Sequence, residues 1–267
     1  MSFKAQKEKI YAAPVIFGPQ PCMIQNDSEQ RYEGVQESVR QYNLAYEVDR
    51  AALEEFLLEG MELIAPNLLL RFEALENVAW LAGRSMNRVE LLVPVKMNGK
   101  TGLYNMVTWE NNGDSILAGR DVKGHAKVYA CIKEEENNGT NSFKAKSWDF
   151  EFLKADFVCN SDQTTEEIPD YLKQYGGTFH YKYLPRTGEG FVKSDADYVL
   201  FAEEKNHVAY KSCASATFNW NRPAFEDAPT QYHYIQKIEA LIPKKIVCAY
   251  FAEFERIDDG YDQIKIG

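Results

Sequence analysis

Residues 119 to 128 of the chain read Gly119-Arg120-Asp121-Val122-Lys123-Gly124-His125-Ala126-Lys127-Val128. This stretch lies between two short apolar runs, residues 115 to 118 and residues 129 to 132. The apolar neighbours of Lys127 predict that its amine is removed from water, and desolvation lowers the pKa of a lysine. A neutral lysine is a nucleophile that forms a Schiff base with a carbonyl compound. The stretch therefore predicts a buried, reactive amine at Lys127.

The same ten residues resemble the active-site signature of the acetoacetate decarboxylase family. That signature reads roughly Gly-Arg-Glu, two variable residues, Gly, one variable residue, Pro and two lysines. In this chain Asp121 stands for the Glu, Ala126 for the Pro and Val128 for the second lysine. Shorter matches lie within residues 70 to 104, and weaker similarity continues towards the C-terminus. The chain thus resembles a divergent member of this family.

The resemblance implies a reaction and two catalytic residues. In the family, the lysine condenses with the ketone of a β-keto acid, and the protonated imine accepts electrons as carbon dioxide leaves. By this resemblance Lys127 is the Schiff-base lysine, and Glu73, in the run Arg71-Phe72-Glu73, matches an active-site glutamate. We accordingly expect a decarboxylase-like carbon–carbon lyase that acts on a small keto acid without a cofactor and forms a homo-oligomer.

Two positions depart from the family pattern. With Val128 in place of the second lysine, desolvation must account for more of the pKa shift of Lys127. Arg88 stands where the decarboxylases have another active-site glutamate, and an arginine there is suited to bidentate binding of a carboxylate. We therefore expect Arg88 to bind a larger carboxylated substrate, with Arg84 as a nearby alternative. The residues alone equally allow a structural ion pair of Arg88 with Glu73 or Glu90.

Two further site residues also have two interpretations each. Glu73 lies in an apolar run, residues 68 to 76, where it is either the partner of Arg71 or another base, or a carboxylate of the lysine site. His125 precedes Lys127 by two residues and either transfers protons near the substrate or lines a turn. The resemblance favours a catalytic Glu73, and we take His125 as substrate-binding.

The function itself has alternatives of different classes. The same imine supports aldol or dehydration chemistry. A protein that kept the fold and the lysine without catalytic turnover would instead be a non-catalytic small-molecule-binding barrel. The presence of Lys127 and Glu73 favours the lyase, whereas the departures from the family pattern at Val128 and Arg88 leave the non-catalytic binder as an alternative. A serine hydrolase or a nucleotide-binding protein has little support, because the Gly-x-Ser-x-Gly, Gly-x-Gly-x-x-Gly and Walker patterns are absent from the sequence.

Composition sets the class of protein and its partners. The 267 residues, 45% hydrophobic and 13% aromatic, suffice for one large domain over 1–267, with residues 1 to 40 as a turn-rich, extended arm. A net charge of -10 and a pI near 5.1 argue against nucleic-acid binding. The N-terminus lacks a signal-peptide pattern and no apolar run is long enough to span a membrane, so a cytoplasmic protein is expected.

The cysteines and histidines are scattered along the sequence. The five cysteines are odd in number and form no CxxC pair, so we expect reduced, mostly buried thiols. The four histidines are spread as widely, which argues against a protein-held metal.

The distribution of strand signals predicts a mainly β (α+β) fold. Many alternating runs, few helical patterns and no βαβ alternation favour a barrel or a sandwich with helical covers. Asn98 and Gly99 predict a hairpin turn, and residues 89 to 132 are predicted to be an antiparallel meander that delivers Lys127. The resemblance implies a closed antiparallel β-barrel with a few covering helices and the lysine inside.

Overall fold

The computed structural model describes residues 3–7, 9, 11, 13–18, 35–159, 168–188, 193–204, 208–258 and 263–266. The predicted arm of residues 1 to 40 lies partly outside these ranges, and its last residues, 35 to 40, begin the first strand. The strands are, in chain order, β1 (Val35–Glu47), β2 (Glu62–Leu63), β3 (Asn67–Val78), β4 (Arg84–Met97), β5 (Lys100–Glu110), β6 (Lys127–Tyr129), β7 (Cys131–Asn137), β8 (Thr140–Ser147), β9 (Phe150–Val158), β10 (Gly177–Pro185), β11 (Ser194–Glu203), β12 (Lys211–Ser212), β13 (Ser215–Trp220), β14 (Lys245–Asp258) and β15 (Gln263–Lys265). The α-helices are α1 (Arg50–Glu54), α2 (Gly113–Asp121), α3 (Asp170–Lys173) and α4 (Tyr232–Glu239), and short 3-10 helices cover Val15–Phe17 and Ala79–Leu81.

The strands form two sheets. The larger sheet has the order β12-β14-β1-β3-β4-β5-β10-β11-β15, with β2 added to β4 and β6 added to β5. The smaller sheet has the order β13-β9-β8-β7. Most neighbours are antiparallel, whereas β6 and β10 both run parallel to β5.

The predicted closed antiparallel barrel is wrong, because both sheets are open. A barrel closes when its first and last strands pair, and in the described ranges the end strands β12 and β15 are not paired with each other. The apolar face of the large sheet is instead buried by the small one: Tyr42 and Phe72 pack on Phe143 and Phe157, with ring centroids 4.8 to 6.0 Å apart across this cluster. The main core therefore lies between two sheets, so closure is not needed to bury it.

The meander prediction is right for one hairpin and wrong for the segment that carries the lysine. Asn98 and Gly99 have φ of 49° and 78°, as a tight β4–β5 turn requires. After β5 the chain forms α2, whose start is capped by Asn112 Oδ1, which accepts a hydrogen bond of 2.9 Å from the Ser115 amide. The helix carries the chain back along the sheet, so β6 is parallel to β5. A βαβ unit is therefore present where none was expected.

The large sheet has one apolar and one polar face, since side chains alternate along each strand. Tyr42, Phe72, Val89 and Trp109 face the small sheet. On the opposite face, strand register aligns polar side chains in two rows across β1, β3, β4 and β5. The first row is Gln41, Glu73, Arg88 and Glu110, and the second is Asn43, Arg71, Glu90 and Thr108, which Lys127 of β6 extends. This polar face therefore holds Arg71 and Glu73, the charged residues of the apolar run 68 to 76.

The expectation of reduced cysteines is wrong for one pair. Cys159 and Cys213 form a disulfide across 54 residues of sequence. The two cysteines meet because β9 and β13 are adjacent and antiparallel, with Val158 opposite Ser215. Cys131 and Cys248 are free, and Cys22 lies outside the described ranges. No helix in the described part of the chain is long and apolar enough to cross a membrane.

Candidate active site

Lys127 lies at the first position of β6 with 4% of its surface exposed. Its Nζ is 2.8 Å from Glu110 Oε2 and donates to Ser115 Oγ at 2.9 Å. The side chain lies against α2 at Gly119, where an added Cβ would be 2.7 Å from Lys127 Cδ. Because Gly119 has no side chain, the lysine side chain can approach the helix closely at this position.

The electrostatic environment lowers the pKa of Lys127 below its ordinary value. Burial is the largest cause, and the positive charges of Arg88 and Lys123 act in the same direction. Glu110 opposes them, because its carboxylate stabilises the ammonium form. The lowered pKa therefore persists in spite of a direct ion pair.

Sequence reasoning missed Glu110. It ends β5, is fully buried, and lies directly opposite Arg88 in the β4–β5 register. Its second oxygen, Oε1, accepts no hydrogen bond from the described residues. The available signal was a carboxylate at the end of an apolar run, residues 103 to 110, which is the argument that singled out Glu73. Its contact with Lys127 depends on α2 and was not visible in sequence.

The structure brings Glu73 and Arg88 together at directly opposite positions of the β3–β4 register. Glu73 Oε2 forms an ion pair with Arg88 Nη2, and Glu73 Oε1 accepts a 2.5 Å hydrogen bond from Gln41 Nε2. Arg256 Nη1 lies 3.7 Å from the same carboxylate. Burial alone would raise the pKa of Glu73, but the nearby arginines hold it at about 2. The contacts of Glu73 match the ion-pair interpretation, with Arg88 rather than Arg71 as partner.

His125 is half-buried and stacks on His180, with ring centroids 3.8 Å apart and an interplanar angle of 18°. Burial lowers the pKa of both rings, helped by the charges of Lys123, Lys127 and Arg88, and the pKa of His180 falls to about 3. Both rings are therefore neutral at pH 7. His180 belongs to β10, far from Lys127 in sequence, and no motif marked it.

A pocket of about 390 Å³ has Lys127, His125 and Arg120 in its wall. Arg120 is exposed there, and its Nη1 donates to the Lys127 carbonyl at 3.2 Å. The remainder of the lining is mainly aromatic or apolar. These residues are Phe56, Met106, Val107, Gly124, Ala126, Val128, Tyr181, Tyr183, Leu184, Tyr234 and Ile238. Glu73, Arg88 and Glu110 are not part of this lining. Within the described ranges, no group of three or more His, Cys, Asp or Glu side chains is arranged to hold a metal ion.

Comparison with known proteins gives one family and several structures. The family model for acetoacetate decarboxylase (ADC) matches residues 19 to 242, and no curated protein sequence matches the chain. An acetoacetate decarboxylase from Legionella pneumophila subsp. pneumophila str. Philadelphia 1 has 16% identity and a TM-score of 0.67, covering 91% of this chain and 96% of that one. An acetoacetate decarboxylase-like enzyme from Sphingomonas wittichii RW1 has 11% identity and a TM-score of 0.69, covering 86% and 92%. The enduracididine biosynthesis enzyme MppR, complexed with the condensation product of pyruvate and imidazole 4-carboxaldehyde, has 14% identity and a TM-score of 0.63, covering 88% and 93%. At these identities the structures share the fold.

Proposed function

This chain belongs to the acetoacetate decarboxylase family, and from that premise we propose that it is a lyase that forms a Schiff base between Lys127 and a keto acid. The observation that supports the proposal is a buried amine with a lowered pKa in the wall of a pocket. A lowered pKa increases the fraction of the neutral amine, which is the form that attacks a ketone.

The proposed reaction follows from the charge of the imine. Lys127 attacks the ketone, water leaves, and the protonated imine withdraws electrons from the adjacent carbon. A carboxylate on that carbon then leaves as carbon dioxide, and the resulting enamine takes a proton and is hydrolysed. Val128 supplies no cation of the kind that the family's second lysine provides, so Arg88 and Lys123 take over the electrostatic part of the pKa shift.

The substrate carboxylate is assigned to Arg120 rather than Arg88. The Arg88 guanidinium is already paired with Glu73, whereas Arg120 is exposed in the pocket wall. Arginine binds carboxylates through two parallel hydrogen bonds. His125 contacts the substrate as a neutral ring, and Glu73 acts as a positioning residue for Arg88. The aromatic lining favours a keto acid that is larger than acetoacetate and carries an apolar group.

A second candidate function uses the same imine for carbon–carbon bond formation or dehydration. The MppR complex favours this candidate, because an enzyme of the same fold binds the condensation product of pyruvate and an aldehyde. An enamine formed at Lys127 would attack an aldehyde where the decarboxylase reaction would add a proton. The two candidates therefore share Lys127 and differ in the second substrate.

Turnover of a small substrate panel tests the proposal. We would measure carbon dioxide release from acetoacetate and benzoylacetate, and loss of aldehyde in mixtures with pyruvate. Lys127→Arg keeps the positive charge and removes the nucleophile, so it should abolish all turnover. Lys100→Arg is the matched control, because Lys100 lies in the β4–β5 hairpin and pairs with Glu203. Turnover that survives in Lys127→Arg contradicts the Schiff-base mechanism.

Two expectations about the setting of the protein stay predictions. We propose a homo-oligomer, to be measured by light scattering of the purified chain. A cytoplasmic location is also proposed, although stable disulfides such as Cys159–Cys213 are more typical of oxidising compartments. Fractionation of cells that express the chain would decide the location.

A further inference from the structure

We propose that Glu110 is the acid–base catalyst of imine formation, taking the proton of the Lys127 ammonium and returning it to the oxygen that leaves as water. This inference rests on the proposed function, because it assigns the proton transfers of that same reaction. It concerns a residue that the sequence pattern of the family did not mark.

The geometry places Glu110 in contact with the reacting atom. Its Oε2 is 2.8 Å from Lys127 Nζ, within the distance that direct proton transfer requires. Ser115 Oγ, at 2.9 Å, accepts from the same nitrogen and fixes its position between strand β5 and helix α2. The carboxylate is fully buried and its Oε1 has no hydrogen-bond partner among the described residues, so this oxygen has the capacity for one further hydrogen bond beside Lys127.

The burial of the pair favours proton transfer from Lys127 to Glu110. Moving a proton from the ammonium to the carboxylate gives two neutral groups, and no net charge enters or leaves the buried site. Arg88, Lys123 and the neutral rings of His125 and His180 also interact electrostatically with Lys127 or with one another. The two cations disfavour the ammonium form of Lys127, which assists the transfer.

The proton and electron balance of the step is complete. Lys127 ammonium and Glu110 carboxylate become amine and carboxylic acid. The amine nitrogen uses its electron pair to form a bond with the carbonyl carbon, and the carbonyl oxygen takes up the nitrogen's proton to give a carbinolamine. The Glu110 acid then protonates the hydroxyl group, the carbon–oxygen bond breaks, and water leaves. The products are an iminium cation on Lys127 and a Glu110 carboxylate, so the ion pair is restored.

The first experiment measures the rate of imine formation against pH. Pyruvate and cyanoborohydride convert the imine to a stable adduct that intact mass detects. The reaction requires Lys127 and Glu110 to hold one proton between them, and this state is lost at both low and high pH. The wild-type rate should therefore give a bell-shaped pH profile. Glu110→Gln should lower the rate by about 10²- to 10⁴-fold. It should also remove the decrease in rate at alkaline pH, called here the alkaline limb, because a glutamine side chain has no proton to lose there. Glu110→Asp should restore part of the rate and the limb.

The second experiment separates catalysis from positioning. Acetylation of Lys127 by acetic anhydride needs a free amine but no acid for a leaving hydroxyl. Glu110 raises the pKa of Lys127, so Glu110→Gln should move the midpoint of acetylation to lower pH while imine formation slows. A residue that only positions the lysine would impair both reactions together. Glu90→Gln is the matched control, because Glu90 is a buried carboxylate of the same face that contacts Arg71 and Asn105.

The outcomes distinguish this inference from the proposed function. If the wild-type protein forms no imine with pyruvate or acetoacetate, the proposed function fails, and the acetylation midpoint still decides whether Glu110 controls the lysine proton. If imine forms, and Glu110→Gln keeps the wild-type rate and bell-shaped profile, the inference about Glu110 is overturned. An acetylation midpoint that does not move in Glu110→Gln overturns it as well.

Discussion

Replacing Arg88 with Met should destabilise the fold strongly, because it leaves the Glu73 carboxylate buried without its main partner. Glu73 is 1% exposed and Arg88 13% exposed, so the pair is largely removed from water. Removing one partner of a buried ion pair costs about 3 to 5 kcal/mol. We expect about 3 kcal/mol, at the lower end of that range, since Gln41 and the more distant Arg256 remain.

A double-mutant cycle gives the pairwise part of this loss. Glu73→Gln alone, Arg88→Met alone and the double variant are unfolded in urea at pH 7, with the fluorescence of buried Trp109 among the signals. The double variant should be more stable than Arg88→Met, because no unpaired carboxylate remains. Glu73 has a folded pKa of about 2, below its unfolded value, so its contribution is present above pH 4.5 and is lost as the pH falls towards 2. The stability gap between wild type and Arg88→Met should therefore narrow on acidification.

The opposite pattern would refute this account of the pair. Suppose that Arg88→Met lowers the free energy of unfolding by less than about 1 kcal/mol, as loss of an exposed ion pair does, and weakens keto acid binding at least tenfold. Arg88 would then bind the substrate rather than stabilise Glu73. Arg120→Met provides the comparison, because it should weaken binding with little change in stability.

Three further predictions concern the surroundings of the site. Gly119→Ala should abolish adduct formation while the fold is kept, because the new Cβ occupies the space of the active lysine; Gly113→Ala in the same helix meets no atom within 4 Å and should leave adduct formation unchanged. The pKa of His180 is about 3 when folded and near 6.5 when unfolded, so urea stability should fall with pH from 6.5 towards 3, by up to about 1.4 kcal/mol per pH unit, and His180→Gln should reduce that slope. Reduction of Cys159–Cys213, which spans 54 residues, should lower the free energy of unfolding by about 2 to 4 kcal/mol, and a Cys159→Ser, Cys213→Ser variant should show the same loss without reductant.

Local chemistry allowed several elements to be predicted from the sequence. Asp49 is a residue type that favours helix caps, and its side chain accepts a hydrogen bond from the Ala52 amide at 3.1 Å at the start of α1. The Asn98-Gly99 turn was predicted because those residues tolerate positive φ. The burial of Lys127 followed from its apolar flanks. In each case the deciding interactions lie within a few residues of one another.

The remaining features depend on which elements meet in space. Glu110 contacts Lys127 because α2 returns the chain parallel to β5, and the helix was read as part of a meander. His180 reaches His125 through the parallel pairing of β10 with β5. Closure of the large sheet was a wrong prediction because strand patterns do not reveal that a second sheet covers its apolar face. Long-range pairing of this kind has no local sequence signal.

The most direct test of the central claim is borohydride trapping followed by peptide mapping. The purified chain would be incubated at pH 7 with pyruvate, acetoacetate or benzoylacetate, reduced with borohydride, digested and analysed by mass spectrometry. We predict a reduced adduct on Lys127 with at least one keto acid, and none on the neighbouring Lys123 or on Lys127→Arg protein. Failure of every keto acid to add mass at Lys127, together with a measured pKa of this lysine near its unperturbed value of about 10.4, would contradict the account.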